Sequence, residues 1–157
     1  MKVSDILRVK GNALFTISPD ATLASAVHSM AAQDIGSLVV MEYGDLAGML
    51  TFREVIQRLH SNDGAVGSIT VRSVMDDHPL TCTPNTDVNE VRRIMLERHT
   101  RYLPIMDGRS LVCVISFYDV AKAVLDAQSF ENKMLKAYIR DWPEQEESAV
   151  AEARPQA

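Results

Sequence analysis

The fold is decided by the stretch Leu50-Thr51-Phe52-Arg53-Glu54-Val55, which returns 65 residues later as Ile115-Ser116-Phe117-Tyr118-Asp119-Val120. The same spacing carries Thr16-Ile17-Ser18-Pro19 onto Thr81-Cys82-Thr83-Pro84 without a gap. Self-similarity at a fixed period indicates one supersecondary unit that is used twice. Two like units that face each other leave clefts between them, and such clefts are common ligand sites.

Both copies have the same order of predicted elements. A short apolar lead-in comes first, and it begins at residue 3 in the first copy and at residue 71 in the second. After it come an extended piece that ends before a proline, then a helix, two strands and a closing helix. Thr22 is the predicted cap of the first helix, and Thr86 or Asp87 caps its counterpart. Pro104 lacks a backbone donor, so its strand should be short or lie at an edge. The predicted strands are 14–17, 36–41 and 46–50 in the first copy and 80–82, 102–106 and 111–115 in the second.

This order predicts an α/β (α+β) fold in which two strand-helix-strand-strand-helix repeats pack with pseudo-twofold symmetry. The first repeat, with its lead-in and a polar Gly-bearing linker, takes residues 1–65, and the second takes 66–126. A further amphipathic helix is expected over 127–142. The remaining residues 143–157 carry four Glu and one Arg without apolar periodicity. This composition predicts a disordered acidic tail.

Composition narrows the class of protein. The chain has 157 residues, 46% hydrophobic content and a formal net charge of −5, which suits one compact domain with two intertwined halves. It has no Lys/Arg cluster with interleaved aromatics, so nucleic acid is an unexpected partner. It has neither an apolar run of about 20 residues nor an apolar secretion signal at the start, which predicts a cytoplasmic protein that does not cross a membrane.

The cysteines and histidines do not indicate a reactive or metal site. Cys82 and Cys113 lie in apolar strand-like segments without CxxC spacing, so we expect small buried side chains that stay reduced. The histidines show no ligand spacing, so we expect no metal. The sequence shows no nucleophile paired with a general base and no phosphate-binding Gly-rich loop. We therefore expect no enzyme activity.

The two elbows, Thr51 to Glu54 and Ser116 to Asp119, leave two interpretations open. Each places a hydroxyl residue at a strand-to-helix turn with an acid three residues later. The free N–H groups of a helix start attract an anion such as phosphate, and the acid can accept hydrogen bonds from the vicinal hydroxyls of ribose. The same spacing also fits a capping box that only satisfies the helix end. The repetition of the elbow in register favours the ligand interpretation.

Taken together, the repeat, the Ser/Thr-Pro after the first strand and the Gly-containing elbow resemble a tandem pair of CBS domains, the Bateman module. The resemblance covers roughly residues 1–125. It implies a regulatory module that binds an adenosyl ligand in two clefts between the halves and signals to a regulated protein or through its own homodimer. AMP is the first expectation, with ADP, ATP, NAD or S-adenosylmethionine as further ligands. A non-nucleotide interaction or assembly module with the same fold is the alternative.

The resemblance also assigns roles to residues. Asp119 would hold one ribose and Glu54 the other, while Ser116 and Thr51 would face phosphates near the pseudo-twofold axis. The cations for phosphate would be Arg101, Lys10 and Arg53, and Tyr118 lies within the second elbow. The adenine neighbours would be Leu103, Pro104 and Val39, with Pro79, Leu80 and Thr81 entering the second cleft. For these flanking residues, ordinary core or surface positions are an equal alternative.

Two departures from the family pattern bear on affinity. Glu54 stands where the family usually has Asp, and its extra methylene moves the carboxylate by over ~1 Å. Cys113 stands where the first copy has Gly48, which adds a side chain near the expected ligand path. From side-chain length alone, we expect the Asp119 cleft to bind more tightly than the Glu54 cleft. The closing helices of both repeats are the expected dimer surface.

Overall fold

The computed structural model describes residues 1–11 and 13–140. The predicted ending of the last helix near 142 and the acidic tail therefore lie outside the described residues. The helices are α1 (Val3–Lys10), α2 (Leu23–Gln33), α3 (Phe52–Ser61), α4 (Val88–Arg98) and α5 (Phe117–Arg140), with a 3₁₀ turn at Val71–Ser73. The strands are β1 (Thr16–Ile17), β2 (Ser37–Glu42), β3 (Asp45–Thr51), β4 (Tyr102–Asp107) and β5 (Ser110–Ser116).

These strands form two small sheets, one in each half. The first has the order β1-β2-β3, in which β1 pairs parallel and β3 antiparallel to β2. The second is the antiparallel pair β4-β5. The turn between β2 and β3 places Tyr43 and Gly44 at positive φ, 52° and 80°, as a tight two-residue hairpin requires. The repeated order of strand pair and helix confirms the predicted fold.

Several predicted elements differ in detail. Residues 80–82 form no strand, and Cys82 makes a single parallel bridge to Ile105. The first lead-in is the helix α1 rather than a loose turn. The closing helix of the second repeat and the expected further helix are one continuous helix, α5, because no Gly or Pro interrupts 121–139. Asp87, not Thr86, caps α4, with its carboxylate accepting from the Asn89 amide at 2.8 Å.

Two of the other local predictions hold. Thr22 caps α2, where its hydroxyl accepts a hydrogen bond from the Ser25 amide at 3.1 Å. Pro104 lies in a strand of six residues that belongs to a two-stranded sheet. That strand is not short, but it has one strand neighbour, and the Pro104 carbonyl accepts the Cys82 amide on the other side at 3.0 Å. The missing proline donor therefore breaks no ladder.

The lead-in of each repeat forms backbone hydrogen bonds with the other repeat. Residues 1–4 bond to 84–88, with the Val3 amide donating to the Thr86 carbonyl at 2.9 Å. Residues 69–72 bond in the same way to 19–23, where the Val71 amide donates to the Ala21 carbonyl at 2.9 Å. The lead-in that precedes the first repeat thus packs on the second repeat, and the lead-in that precedes the second repeat packs on the first.

The core is apolar and runs through both halves. In the first half α2, β2 and β3 bury a cluster that includes Leu23, Met30, Leu38 and Leu50, together with Val71 of the second lead-in. In the second half the fully buried side chains include Leu103, Ile105, Ile115, Val88 and Val91, and Val3 of α1 is buried as well. Burial of a Val, Leu or Ile side chain contributes about 1.5–3 kcal/mol, so the lead-ins contribute to the stability of both halves.

Contacts divide the chain into two compact units, 1–120 and 121–157. Both repeats, apart from most of α5, lie in the first unit. The described part of the second unit is the helical stretch 121–140. Within the described residues, no helix combines the length and the apolar character needed to cross a membrane.

If α1 is part of the core, Val3→Ala should lower the free energy of unfolding by about 1–3 kcal/mol, because it removes fully buried methyl groups. Val9→Ala on the same helix is the matched control, since Val9 is 83% exposed, and it should change stability by less than about 0.5 kcal/mol. Urea unfolding of the full chain measures both. Equal effects of the two substitutions would show that α1 is not built into the core.

Candidate functional site

The first elbow is the end of β3 and the start of α3. Thr51 is the N-cap, and its hydroxyl accepts a hydrogen bond from the Arg53 amide at 3.2 Å. The Glu54 carboxylate turns back, where Oε2 accepts the Thr51 amide at 3.1 Å and contacts the Thr51 hydroxyl. This reciprocal pair is a capping box and satisfies orphan donors of the helix start.

The second elbow repeats this geometry at β5 and α5. Asp119 Oδ2 accepts the Ser116 amide at 2.8 Å, and the Ser116 hydroxyl accepts the Asp119 amide at 3.1 Å. The capping interpretation is therefore confirmed for both elbows. It does not remove the ligand interpretation, because each amide bond engages only one carboxylate oxygen and each elbow borders a cleft.

The Glu54 cleft is the roomier of the two elbow clefts. It has a volume of about 520 Å³, within the range of about 300–1,000 Å³ typical of small-molecule sites. Three arginines and two histidines line it together with two carboxylates, so its charged groups are mostly basic. These side chains are Arg53, Arg98, Arg101, His78, His99, Glu54 and Asp76. The cleft joins a cationic rim to a helix start, an arrangement that suits a phosphate-bearing ligand.

The Asp119 cleft is smaller, with a volume of about 240 Å³. Its charged side chains are Lys10 and Asp119, and Ser116 of the elbow lines it as well. The remaining wall is mostly apolar and includes Leu14, Phe15, Ile35, Val39 and Val114. Because this volume is below the usual range, a nucleotide requires some widening of the cleft.

The predicted site residues fall into these two clefts in a crossed arrangement. Thr51, Arg53 and Glu54 share the first with Pro79, Leu80 and Arg101. Ser116 and Asp119 share the other with Lys10 and Val39. Pro79 and Leu80 therefore lie beside Glu54 and do not enter the Asp119 cleft, because the lead-in of each repeat lies against the elbow of the other. The remaining predicted residues, Leu103, Pro104, Thr81 and Tyr118, line neither cleft.

Those four residues have other positions. Leu103 and Pro104 are buried, which makes them core residues of β4. Thr81 is exposed, and Tyr118 is 73% exposed on α5. A ligand-binding role for these four residues therefore stays a prediction.

Tyr102 lines both clefts and was missed by the sequence analysis. The Tyr102 hydroxyl reaches across from β4 into the space that a side chain on Gly36 would occupy. Burial raises the pKa of Tyr102. The available signal was the break in the repeat at this point, since Gly36-Ser37 of the first copy corresponds to Arg101-Tyr102 of the second.

Lys10 and Asp119 form an ion pair inside the smaller cleft. Lys10 Nζ lies 2.6 Å from Asp119 Oδ2, and the two side chains are only 28% and 17% exposed. Burial by itself would raise the pKa of Asp119, but the hydrogen bonds from Lys10 and from the Ser116 amide outweigh it and lower that pKa below its ordinary value. The carboxylate is therefore ionised and paired at neutral pH.

The replacement of Gly48 by Cys113 in the second copy changes how the lead-in contacts the strand. Gly48 lies under the second lead-in, where an added Cβ would meet the Asp76 carbonyl oxygen at 2.5 Å, and Met49 forms a two-way backbone bridge with Asp76. Cys113 is fully buried, and its Sγ lies 3.8 Å from the Gly11 carbonyl oxygen. Gly11 of the first lead-in lies against this thiol, and among the described residues Val114 bridges to Pro104 of β4 but not to the first lead-in. Both cysteines are buried and unpaired, as predicted, and burial raises the pKa of Cys82.

The comparisons with known proteins agree with this architecture. The family model of the CBS domain matches residues 3–61 and again 71–126. The chain belongs to the CBS-domain family. A CBS domain-containing protein of Arabidopsis thaliana, the mitochondrial CBSX3, is 28% identical over 147 residues, which are 88% of this chain and 71% of that protein.

Solved CBS structures share the fold. A protein with CBS domains from Burkholderia ambifaria superposes with a TM-score of 0.77 at 27% identity, over 82% of this chain and 96% of that one. Two more distant structures show likeness of fold alone. CBSX2 in complex with AMP has a TM-score of 0.68 at 20% identity, over 81% of this chain and 98% of that one. The CBS pair of MJ0100 in complex with 5′-methylthioadenosine and S-adenosyl-L-methionine has 0.70 at 19%, with the same coverage.

The lowered pKa of Asp119 predicts a pH dependence of stability. A carboxyl group whose folded pKa is depressed stabilises the fold above its unfolded pKa of about 3.9, and this contribution is lost as the pH falls through the folded pKa. Asp119→Asn should therefore cost about 1–3 kcal/mol of unfolding free energy at pH 7. The difference from the wild type should shrink in acid.

Urea unfolding at pH 7 and at pH 3 measures this difference. The control is Asp45→Asn, which removes an exposed pair with Arg109 and should cost less than about 1 kcal/mol. A cost of Asp119→Asn that is equally large at both pH values would contradict the ion-pair account.

Proposed function

We propose that this CBS-domain protein is a regulatory module that binds an adenosyl ligand, AMP in the first place, in the clefts between its two repeats. The observation that carries the proposal is the Glu54 cleft, in which a helix start, a carboxylate and several cationic side chains surround a volume of about 520 Å³. ADP, ATP, NAD and S-adenosylmethionine are further ligands of the same chemistry. The bound structures of CBSX2 and MJ0100 support an adenosyl ligand for this fold.

Each part of the ligand has a matching group in the Glu54 cleft. Glu54 Oε2 is used by the capping box, and Oε1 is left to accept from a ribose hydroxyl. Arg53 and Arg101 supply charge for the phosphate beside the positive end of α3. Leu80 and Pro79 offer apolar contact to adenine. These are binding roles, so the module would act by passing its occupancy to another protein or to a second copy.

We also propose that this module has no enzyme activity, lies in the cytoplasm, binds no nucleic acid and acts on a regulated protein. The absence of enzyme activity, the cytoplasmic location and the lack of nucleic-acid partners rest on the sequence patterns given above. The existence of a regulated protein rests on the resemblance to the family. Proteins that consist of CBS repeats are regulatory in general, which supports the first of these predictions.

A second function is an assembly module that binds no nucleotide. The capping boxes favour it, because both elbow acids bond to their own backbone amides. The two functions differ in what stabilises the folded state, since a ligand that binds only the folded protein adds RT ln(1 + [L]/Kd) to the unfolding free energy.

With AMP at a hundredfold excess over Kd, we expect a gain of about 2.7 kcal/mol, which corresponds to a melting-temperature increase of about 5–10 °C. Glu54→Gln keeps the capping box but removes the charge that ribose would meet, and it should weaken AMP binding about tenfold. Glu97→Gln is the matched control, since Glu97 pairs with Arg93 on the surface of α4. Calorimetric titration measures the affinities.

The absence of a thermal shift with AMP, ATP, NAD and S-adenosylmethionine would favour the assembly function. An equal loss of AMP affinity in Glu54→Gln and Glu97→Gln would place the ligand outside the Glu54 cleft.

We also propose that the protein is a homodimer that pairs through the closing helices of its repeats. Exposed apolar side chains support the pairing, including Phe117 and Leu125 on α5. On α3, Phe52 and Ile56 are exposed as well, and they also line the Glu54 cleft. Such exposed apolar surface is typical of contact sites. A structure of a hexameric CBS-CP12 protein from bloom-forming cyanobacteria, which shares this fold, supports association between copies.

Leu125→Glu should convert the dimer into a monomer, because it places a charge on a side chain that is 61% exposed in the single chain and buried in the proposed contact. Leu96→Glu makes the same exchange at a leucine of α4 that is 57% exposed and lies outside the closing helices, and it should leave the dimer intact. Light scattering at micromolar concentration gives the mass. A monomeric wild type, or a dimer that survives Leu125→Glu, would contradict the pairing.

A further inference from the structure

The two halves satisfy the same strand carbonyl in different ways. In the first half the Met49 carbonyl accepts a hydrogen bond from the Asp76 backbone amide at 2.9 Å. Its counterpart in the repeat is Val114, whose carbonyl accepts a hydrogen bond from Lys10 Nζ at 2.6 Å. A lysine side chain from the first lead-in thus replaces a backbone bridge.

The difference follows from one position in the repeat. Gly48 leaves room for the backbone of Asp76 to lie directly on the strand. Cys113 occupies that position in the second half with a buried thiol, and the lead-in carbonyl of Gly11 lies against its sulfur. Among the described residues of this lead-in no backbone group bridges to Val114, and the long side chain of Lys10 reaches the strand carbonyl instead.

The same ammonium group also forms an ion pair with Asp119, the carboxylate of the second elbow. Lys10 Nζ and the Ser116 amide both donate to Asp119 Oδ2, at 2.6 and 2.8 Å. A nucleoside in this cleft needs the Asp119 carboxylate for its ribose. Lys10 is already bonded to this carboxylate and to the neighbouring Val114 carbonyl. The Glu54 cleft has no such competitor, because none of the ion pairs among residues 1–11 and 13–140 involves Glu54.

We propose that Lys10 is a lock on the Asp119 cleft, so that an adenosyl ligand enters this cleft only by displacing the ammonium and fills the Glu54 cleft first. This inference rests on the proposed function and reverses the order of affinities expected from side-chain length. Breaking a partly buried ion pair costs free energy that must come from the binding of the ligand. A phosphate recovers part of that cost, because it attracts the displaced ammonium.

The lock therefore discriminates between ligands by charge. Adenosine is neutral and offers the displaced ammonium no partner, whereas AMP offers its phosphate. We expect the Asp119 cleft to prefer AMP over adenosine more strongly than the Glu54 cleft does. Lys10 is thus a specificity-determining residue for a phosphorylated nucleoside in one cleft of the pair.

The test is a calorimetric titration of the full chain with adenosine and, separately, with AMP. Lys10→Met removes the charge and keeps a long side chain, and Lys10→Gln is a second variant in case Met alters the fold. Arg8→Met on the same helix is the matched control, since Arg8 is largely exposed and pairs only with Asp5 among the described residues. Each protein is also prepared with Glu54→Gln, which weakens the Glu54 cleft about tenfold, so that the heat that changes with this substitution is assigned to the Glu54 cleft and the rest to the Asp119 cleft.

Without the lock, adenosine should bind the Asp119 cleft about tenfold more tightly in both Lys10 variants, with no change in Arg8→Met, and the preference for AMP over adenosine should fall. If Lys10 only binds phosphate, adenosine affinity will stay the same and AMP affinity will fall, which overturns the lock while the proposed function stands. If neither ligand gives heat with any of these proteins, including those with an intact Glu54, the lock and the proposed function both fail.

Discussion

The exchange of backbone hydrogen bonds between each lead-in and the opposite half is the constraint on which the rest of the structure depends. Residues 1–4 bond to the start of α4, and residues 69–72 bond to the start of α2. Because the lead-ins cross in this way, each cleft combines the lead-in of one repeat with the elbow of the other. Neither cleft exists within a single repeat, so ligand binding and the packing of the two halves are physically linked.

Small departures from symmetry then give the two clefts different chemistry. A glycine at position 48 lets the second lead-in lie close to its strand, and Glu54 forms no ion pair among the described residues. A cysteine at position 113 holds the first lead-in at a distance, and Lys10 neutralises Asp119 in the gap. Repeats that diverge at one buried position can thus acquire unequal sites without any change of fold.

Much of the fold could be predicted from the sequence, because its determinants are local. The β2-β3 and β4-β5 hairpins, the caps at Thr22 and Asp87 and the elbows all follow from short-range patterns. The crossing of the lead-ins could not be predicted, since it depends on backbone pairing between distant segments. For this reason the sequence did not tell which elbow Pro79 and Leu80 would face, and Leu103 and Pro104, which were expected near adenine, are buried in β4.

The position of Lys10 shows the same limit at the candidate site. The sequence identified it as a cation near the cleft, but only the structure shows that its partner is a carboxylate of the protein. Likewise, Tyr102 is ordinary in sequence and becomes a wall of both clefts because Gly36 lies opposite its hydroxyl. The residue types in the site were thus predictable, whereas their pairing was not.

The most direct test of the account is a crystal structure of the full chain grown with AMP. We predict that the ribose hydroxyls lie within about 3 Å of the Glu54 carboxylate, with the phosphate toward Arg53 or Arg101. AMP bound away from both elbows, or clefts that stay without nucleotide at saturating AMP, would contradict the claim that the clefts between the repeats are adenosyl sites.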